Sequence, residues 1–246
     1  MAQAGSKKGP PGTVGLHAPW HRLVSPDHLL LTASAGQFAL LAPLAWWAHK
    51  HPQPPLEVGI THVLQKKQTK SLQGATRVLS SIAGSAVLMN ILVVPTALLL
   101  WKRHLRLEAV MTVGISWTSA LVRMVIQGMV DRPRPSPLFV HITKQKRSES
   151  FPSGHVAASL DFWGWLFVLG MILSKGIMPW QKGLSGLPAL CVVLVGPSRI
   201  YLGDHWSTDV LGGYLFGGGW LAVSLWLYLA LKRKNVWGAG QSASRV

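Results

Sequence analysis

Residues 207–231 read STDVLGGYLFGGGWLAVSLWLYLAL, and after Asp209 no charge appears until Lys232, Arg233 and Lys234 close the run. A helix needs about 20 mostly apolar residues to cross the hydrocarbon of a bilayer, so this segment reads as a membrane span and sets the class of the chain. Its glycines at 212, 213, 217, 218 and 219 include a small-xxx-small pair, Gly213 and Gly217. Close packing against a neighbouring helix explains them better than contact with a ligand does.

Further segments of the same character lie at about 28–48, 76–101, 107–130, 155–174 and 184–203. The predicted fold is an all-α membrane protein: six transmembrane helices in a domain covering 28–231, between a tail at 1–27 and a basic tail at 232–246. Pro43, Pro188 and Pro197 fall inside spans, where kinks are expected. Hydrophobic residues at 49% against 13% charged, with a mean hydropathy of +0.30, exclude an ordinary soluble domain. The formal charge of +16 raises a nucleic-acid partner. Most Lys and Arg, however, sit between the apolar runs, where they meet anionic head groups, so no nucleic-acid partner is expected. The single cysteine, Cys191, lies within an apolar run and reads as a packing residue.

Residues 1–27 carry Gly, Pro and Lys without an early apolar core, which is not the pattern of a cleaved signal peptide. Lys102, Arg103 and Arg106 between spans two and three, with Lys232 to Lys234, place those ends and both tails in the cytoplasm by the positive-inside rule. Lys50, Lys66, Lys67 and Lys70 in the loop at 49–75 oppose this, as does the basic loop at 131–154.

In such a chain the polar residues are informative, because ionisable groups at membrane depth are costly. They cluster. Asp131-Arg132-Pro133-Arg134-Pro135 follows the third span, and Phe151-Pro152-Ser153-Gly154-His155 precedes the fourth. Ser198-Arg199 ends the fifth, and His205 with Asp209 opens the sixth. Alternating spans put these loops on one membrane face. Arginine offers a permanently charged fork of donors that matches phosphate oxygens. Ser-Gly before a helix offers a hydroxyl and backbone N–H groups at a positive helix end. His205 and Asp209 are four residues apart, so the carboxylate is expected to reach the imidazole across one helical face and fix its tautomer. His155 is a candidate general acid. Metal sites need several His, Cys or carboxylate ligands in suitable spacing. The chain has eight Asp and Glu in all and the cluster is dominated by cations, so no metal and no cofactor are expected.

These residues resemble the phosphatidic acid phosphatase type 2 (PAP2) family, whose site is shared with vanadium haloperoxidases and glucose-6-phosphatases. The family pattern is Lys, six residues, Arg-Pro; then Pro-Ser-Gly-His; then Ser-Arg, five residues, His, three residues, Asp. Its second motif is complete at Pro152 to His155 and its third at Ser198, Arg199, His205 and Asp209. The resemblance implies that His205 is a nucleophile forming a phosphohistidine and that Asp209 orients it. It also implies that His155 is the acid, and that Arg134, Ser153, Gly154 and Arg199 hold the phosphate. Of Arg132 and Arg134, the family's usual doublet favours the second. The first motif departs: its Lys falls on Gln127, while Arg123 lies one turn earlier on the same face and can bring the missing cation.

The implied activity is metal-independent hydrolysis of a membrane lipid phosphate or diphosphate, either an isoprenoid diphosphate or a phosphatidate or phosphatidylglycerol phosphate. The bilayer is the setting, and the site faces the non-cytoplasmic side of the cell membrane. Transfer of phosphate to another lipid's hydroxyl and a non-catalytic lipid-binding role are the alternatives. A haloperoxidase is disfavoured because those relatives are soluble. Lys144, Lys146 and Arg147 read as a solvated basic loop, and Asp204 as loop structure.

Overall fold

The computed structural model describes residues 26–145, 148–173 and 179–234, and among them every regular element is helical. The helices are α1 (Pro26–Lys50), α2 (Pro55–Leu64), α3 (Lys70–Gly84), α4 (Ala86–Lys102), α5 (Arg106–Val130), α6 (Gly154–Ser159), α7 (Trp165–Leu173), α8 (Pro179–Tyr201) and α9 (Ser207–Arg233). A π-helical turn, Leu160–Gly164, joins α6 to α7 without a break. Most of the two tails, with Lys146 and Arg147, lies outside the described residues.

Asp27–Lys50, Arg106–Val130, Gly154–Leu173 and Ser207–Arg233 are each long and apolar enough to cross a membrane. The span expected at 76–101 is two helices, α3 and α4, which qualify only as a pair bent by 44°. Ser85 adopts an extended conformation (φ −62°, ψ 125°) that interrupts the helical hydrogen-bond ladder between them. The span expected at 184–203 falls on α8, whose apolar part, Gly186–Tyr201, is shorter than the others.

The glycines of α9 admit neighbours on two sides. Side chains at Gly213 and Gly217 would meet Val156 and Leu160 on the α6 side, while Gly218 and Gly219 lie against Gln37 and Phe38 of α1. Ser34 Oγ donates to the Gly219 carbonyl at 2.9 Å, fastening α1 to the same helix. At the far end, Lys232 Nζ meets Glu108 Oε1 at 2.9 Å, and Arg233 pairs with Asp27 at 2.9 Å. The basic residues there, Lys102, Arg103 and Arg106 included, share the end opposite the polar cluster.

Gly84 ends α3 where it presses on the backbone of His155. A Cβ there would overlap the His155 carbonyl and Cα, which cannot rotate away. Gly84→Ala is therefore expected to cost about 1–3 kcal/mol and to lower the melting temperature in detergent. An unchanged melting temperature would show that α3 can withdraw from α6 freely.

α2 was not anticipated within the loop at 49–75. Pro54 and Pro55 start it, with proline at the first helical position and Glu57 in the first turn. Glu57 is buried at 1% exposure.

Candidate active site

The two loops that alternation of spans puts on one face do meet. Asp131 takes a left-handed conformation (φ 46°) that ends α5 and turns the chain out into the loop at 131–153. Gly203, also left-handed (φ 70°), turns the chain between α8 and α9 with its Cα against the His141 carbonyl, where no side chain fits. Thr143 N–H donates to Leu202 O at 3.1 Å, and Ser153 N–H to Asp209 O at 2.9 Å, so the loops are joined through their backbones.

His205 sits just before α9, outside the helix, which corrects the expectation that it shares a helical face with Asp209. Trp206 is the N-cap residue, and its N–H donates to Asp209 Oδ2 at 2.8 Å. The closest approach of the pair, His205 Nδ1 to Asp209 Oδ2, is 3.7 Å. Ser150, which the sequence did not single out, stands between them. Its hydroxyl donates to Asp209 Oδ2 and lies 3.4 Å from His205 Nδ1. On the other side of the ring, Arg134 Nη1 is 3.1 Å from His205 Nε2. A guanidinium can only donate, so Nε2 is the acceptor and the ring proton belongs on Nδ1, facing Ser150 and Asp209. This tautomer leaves a lone pair on Nε2.

Arg134 is held by backbone. It donates to Ser148 O at 2.9 Å, to Asp204 O at 2.7 Å and to Glu149 O at 3.1 Å. Burial lowers its pKa from the ordinary arginine value, against the opposing pull of Asp204, Asp209 and Glu149.

Arg132 has a different place from Arg134. It is 1% exposed and lies between two carboxylates, pairing with Glu57 and, at 2.7 Å, with Asp209 Oδ1. It also donates to Thr208 Oγ1 at 2.6 Å. The other oxygen of Glu57 accepts the Thr208 N–H at 2.6 Å and the Ser207 hydroxyl at 3.0 Å, so α2 supplies an anion to the positive end of α9. A proline-started helix with a glutamate in its first turn was the signal available for this partner.

Arg199 is 3% exposed, donates to Ser80 Oγ of α3 at 2.5 Å and pairs with Asp204. Asp204 is thus an ion-pair partner as well as a loop residue. Arg199 Nε and Ser153 Oγ are both buried without a hydrogen-bond partner. Buried polar groups are rarely left so unless something absent from the chain satisfies them. His155, Arg199 and Asp204 line one cavity of about 630 Å³.

Arg123 and Gln127 lie elsewhere. Arg123 Nη1 donates to Gln127 Oε1 at 3.0 Å, and Gln127 Nε2 to Pro152 O at 3.2 Å. The Arg123 guanidinium rests against Gly154, where a Cβ would collide with it, and neither residue lines the cavity. The structure brings them to the turn that carries Ser153, not to His205. Among the described residues, no group of three or more His, Cys, Asp or Glu is arranged to hold a metal ion.

Comparison with known proteins bears on this geometry. The family model described as the PAP2 superfamily matches residues 74–234. The chain is 32% identical over 139 residues to "Lipid phosphate phosphatase delta" of Arabidopsis thaliana, covering 53% of this chain and 32% of that one. It is 36% identical over 105 residues to "Phosphatidylglycerophosphatase B" of Bacillus subtilis, covering 41% of this chain and 48% of that one. It spans about a third to a half of the length of these relatives. The fold is similar to the crystal structure of a transmembrane PAP2-type phosphatidylglycerolphosphate phosphatase from Bacillus subtilis. The TM-score is 0.61 at 22% identity, over 86% of this chain and 98% of that one. With its apolar helices, this fold makes the chain an integral membrane protein.

Proposed function

The chain belongs to the PAP2 superfamily, and from this membership and the setting of His205 we propose that it hydrolyses a membrane lipid phosphate through a phosphohistidine. The observation that carries the proposal is the 3.1 Å approach of Arg134 to His205 Nε2, which leaves the ring with a nucleophilic nitrogen beside a cation fit for phosphate. Nδ1–H faces Ser150 and Asp209, so positive charge developing on the ring during attack is met by the Asp209 carboxylate. Arg132 holds that carboxylate from behind.

Arg134, Arg199, Ser153 and the Gly154 N–H hold the phosphate oxygens in this reading. The bound phosphate satisfies Ser153 Oγ and Arg199 Nε, two buried atoms of the site without hydrogen-bond partners in the chain. Such donors stabilise charge growing on the phosphoryl oxygens in the transition state. His155 protonates the leaving oxygen. Arg123 and Gln127 act on the phosphate indirectly, by fixing the turn at Pro152 to Gly154. Six crossings follow if α3 with α4 counts as one and α8 as another. The basic end at Lys102 to Arg106 and Lys232 then faces the cytoplasm, and the site faces the opposite side.

The test is phosphate release by the purified chain in detergent from a panel of lipid phosphates. Release is expected to persist in excess chelator, since arginines neutralise the phosphate, and to fall with vanadate, which resembles the five-coordinate transition state. Failure to act on any of the panel, or a strict need for added divalent metal, would overturn the reading. Release only when a second lipid alcohol is present would replace hydrolysis by transfer.

A further inference from the structure

A carboxylate and a guanidinium lie deeper in the bilayer than the phosphate site requires. Asp161 is 3% exposed in the π-helical turn of the span Gly154–Leu173, and Arg123 lies on α5. Each is seven residues from the end of its span that carries the site, about 10 Å at the rise of a helix. Ionisable groups at such depth are costly and mark function by default, and π-helical turns recur at functional sites. Neither group touches the phosphate in the proposed reaction.

Ser119, Arg123 and Gln127 are four residues apart and share one face of α5. That face runs as a polar line from the interior to the turn at Pro152 to Gly154. Ser119, itself fully buried, donates its hydroxyl proton to Asp161 Oδ2 and fixes the carboxylate. One turn on, Arg123 stands in the field of that carboxylate. Its guanidinium rests on Gly154 and donates from Nη1 to Gln127 Oε1 at 3.0 Å, while Gln127 Nε2 donates to Pro152 O at 3.2 Å. An arginine this deep snorkels towards water when nothing holds it, and here water lies beyond the turn itself. Asp161, bound a turn deeper at Ser119, draws it the other way. Asp161 Oδ1 has no hydrogen-bond partner, and among the described residues Arg123 is the cation that balances the carboxylate.

We infer that Asp161 is a positioning residue for the phosphate-binding turn, acting through Arg123 and Gln127. The inference rests on the proposed function, in which Ser153 and the Gly154 N–H hold the phosphate. Without the Asp161 charge, Arg123 moves outwards against the turn, and Gln127 loses the bond that orients it towards Pro152. Anion binding then weakens. A carboxylate acting only through its long-range field gives the opposite sign, since its removal makes the site more positive and tightens anion binding. A carboxylate needed only for helix packing lowers the melting temperature and leaves anion binding alone.

The test is calorimetric binding of orthovanadate to the purified full chain in detergent, with size-exclusion profiles to verify that each variant is folded. Asp161→Asn is expected to weaken binding about tenfold and Arg123→Gln about tenfold. The double substitution should also weaken it about tenfold, where independent effects would give about a hundredfold. Ser119→Ala keeps every charge and frees the carboxylate, so it serves where Asp161→Asn does not fold. It should weaken binding about threefold, and have no effect in the Arg123→Gln background. Unchanged or tighter binding in the folded single variants, or independent effects in the double, overturns the inference while leaving the proposed function standing. A wild-type chain that binds neither vanadate nor inorganic phosphate has no phosphate seat, which would remove the proposed function and this inference with it.

Discussion

His205→Ala is expected to reduce phosphate release by about 10⁴-fold or more, to the level of background, while the protein remains folded. In the proposed mechanism covalent catalysis splits a very slow hydrolysis into two faster steps, both through His205 Nε2. No neighbour can substitute. Ser150 is held between the imidazole and Asp209, and His155 lies on the other wall of the site with Arg199. The ring is 1% exposed, so alanine leaves a small cavity, and Asp209 keeps its ion pair with Arg132. The measurement is a single-turnover assay on wild type and variant, with acid-labile, base-stable phosphoprotein sought in the wild type. Activity within tenfold of wild type would end the assignment of His205 as nucleophile.

Arg132→Met is expected to give the largest loss of stability of any single change at the site, about 3–5 kcal/mol, because it strands two buried carboxylates. Glu57 and Asp209 are 1% and 0% exposed, and Arg132 is the cation between them. Arg134→Met two residues away should behave in the opposite manner. Its partners are backbone carbonyls at the rim, the Ser148 hydroxyl and the His205 ring, so kcat/KM should collapse while the melting temperature falls little. Coupling provides the check. Glu57→Gln in the Arg132→Met background should recover part of the lost stability, since it removes one of the stranded charges. If Arg132→Met melted with wild type, or if the two substitutions were additive, the buried ion-pair account would be wrong.

Much of this arrangement was legible before any coordinates. Apolar runs announce helices in a membrane protein because a lipid-facing backbone must satisfy its own hydrogen bonds. Alternation of those runs was enough to bring the loop at 131–153 to the turn at 202–206. The motif residues were readable because charge is scarce in such a chain, so each ionisable group stands out. What escaped had no such contrast. Ser150 is one serine in a polar loop, and only the spacing between His205 Nδ1 and Asp209 shows that a hydroxyl belongs there. The expected helical His–Asp contact failed because α9 starts at Ser207, and an i,i+4 rule holds only where both residues are helical. The break at Ser85 escaped because the mostly apolar run from Val78 to Trp101 continues across it, whereas the approach of Gly84 to His155 is a tertiary fact. Glu57 has no such contrast either, since it lies in a loop at 49–75 with Lys50, Lys66, Lys67 and Lys70.

Glu57 changes what could be moved between proteins. The three motifs lie between Gln127 and Asp209, and a transplant of that stretch would carry every group proposed to touch phosphate. It would leave behind Glu57, the carboxylate that caps α9 through Thr208 and closes the far side of Arg132. Arg132 would arrive in a new host with Asp209 and Thr208 but without its second carboxylate, and the Thr208 N–H at the start of α9 would lose its acceptor. The chemistry is contiguous in the chain, but its foundation is borrowed from a ten-residue helix upstream, so the site is portable only together with α2.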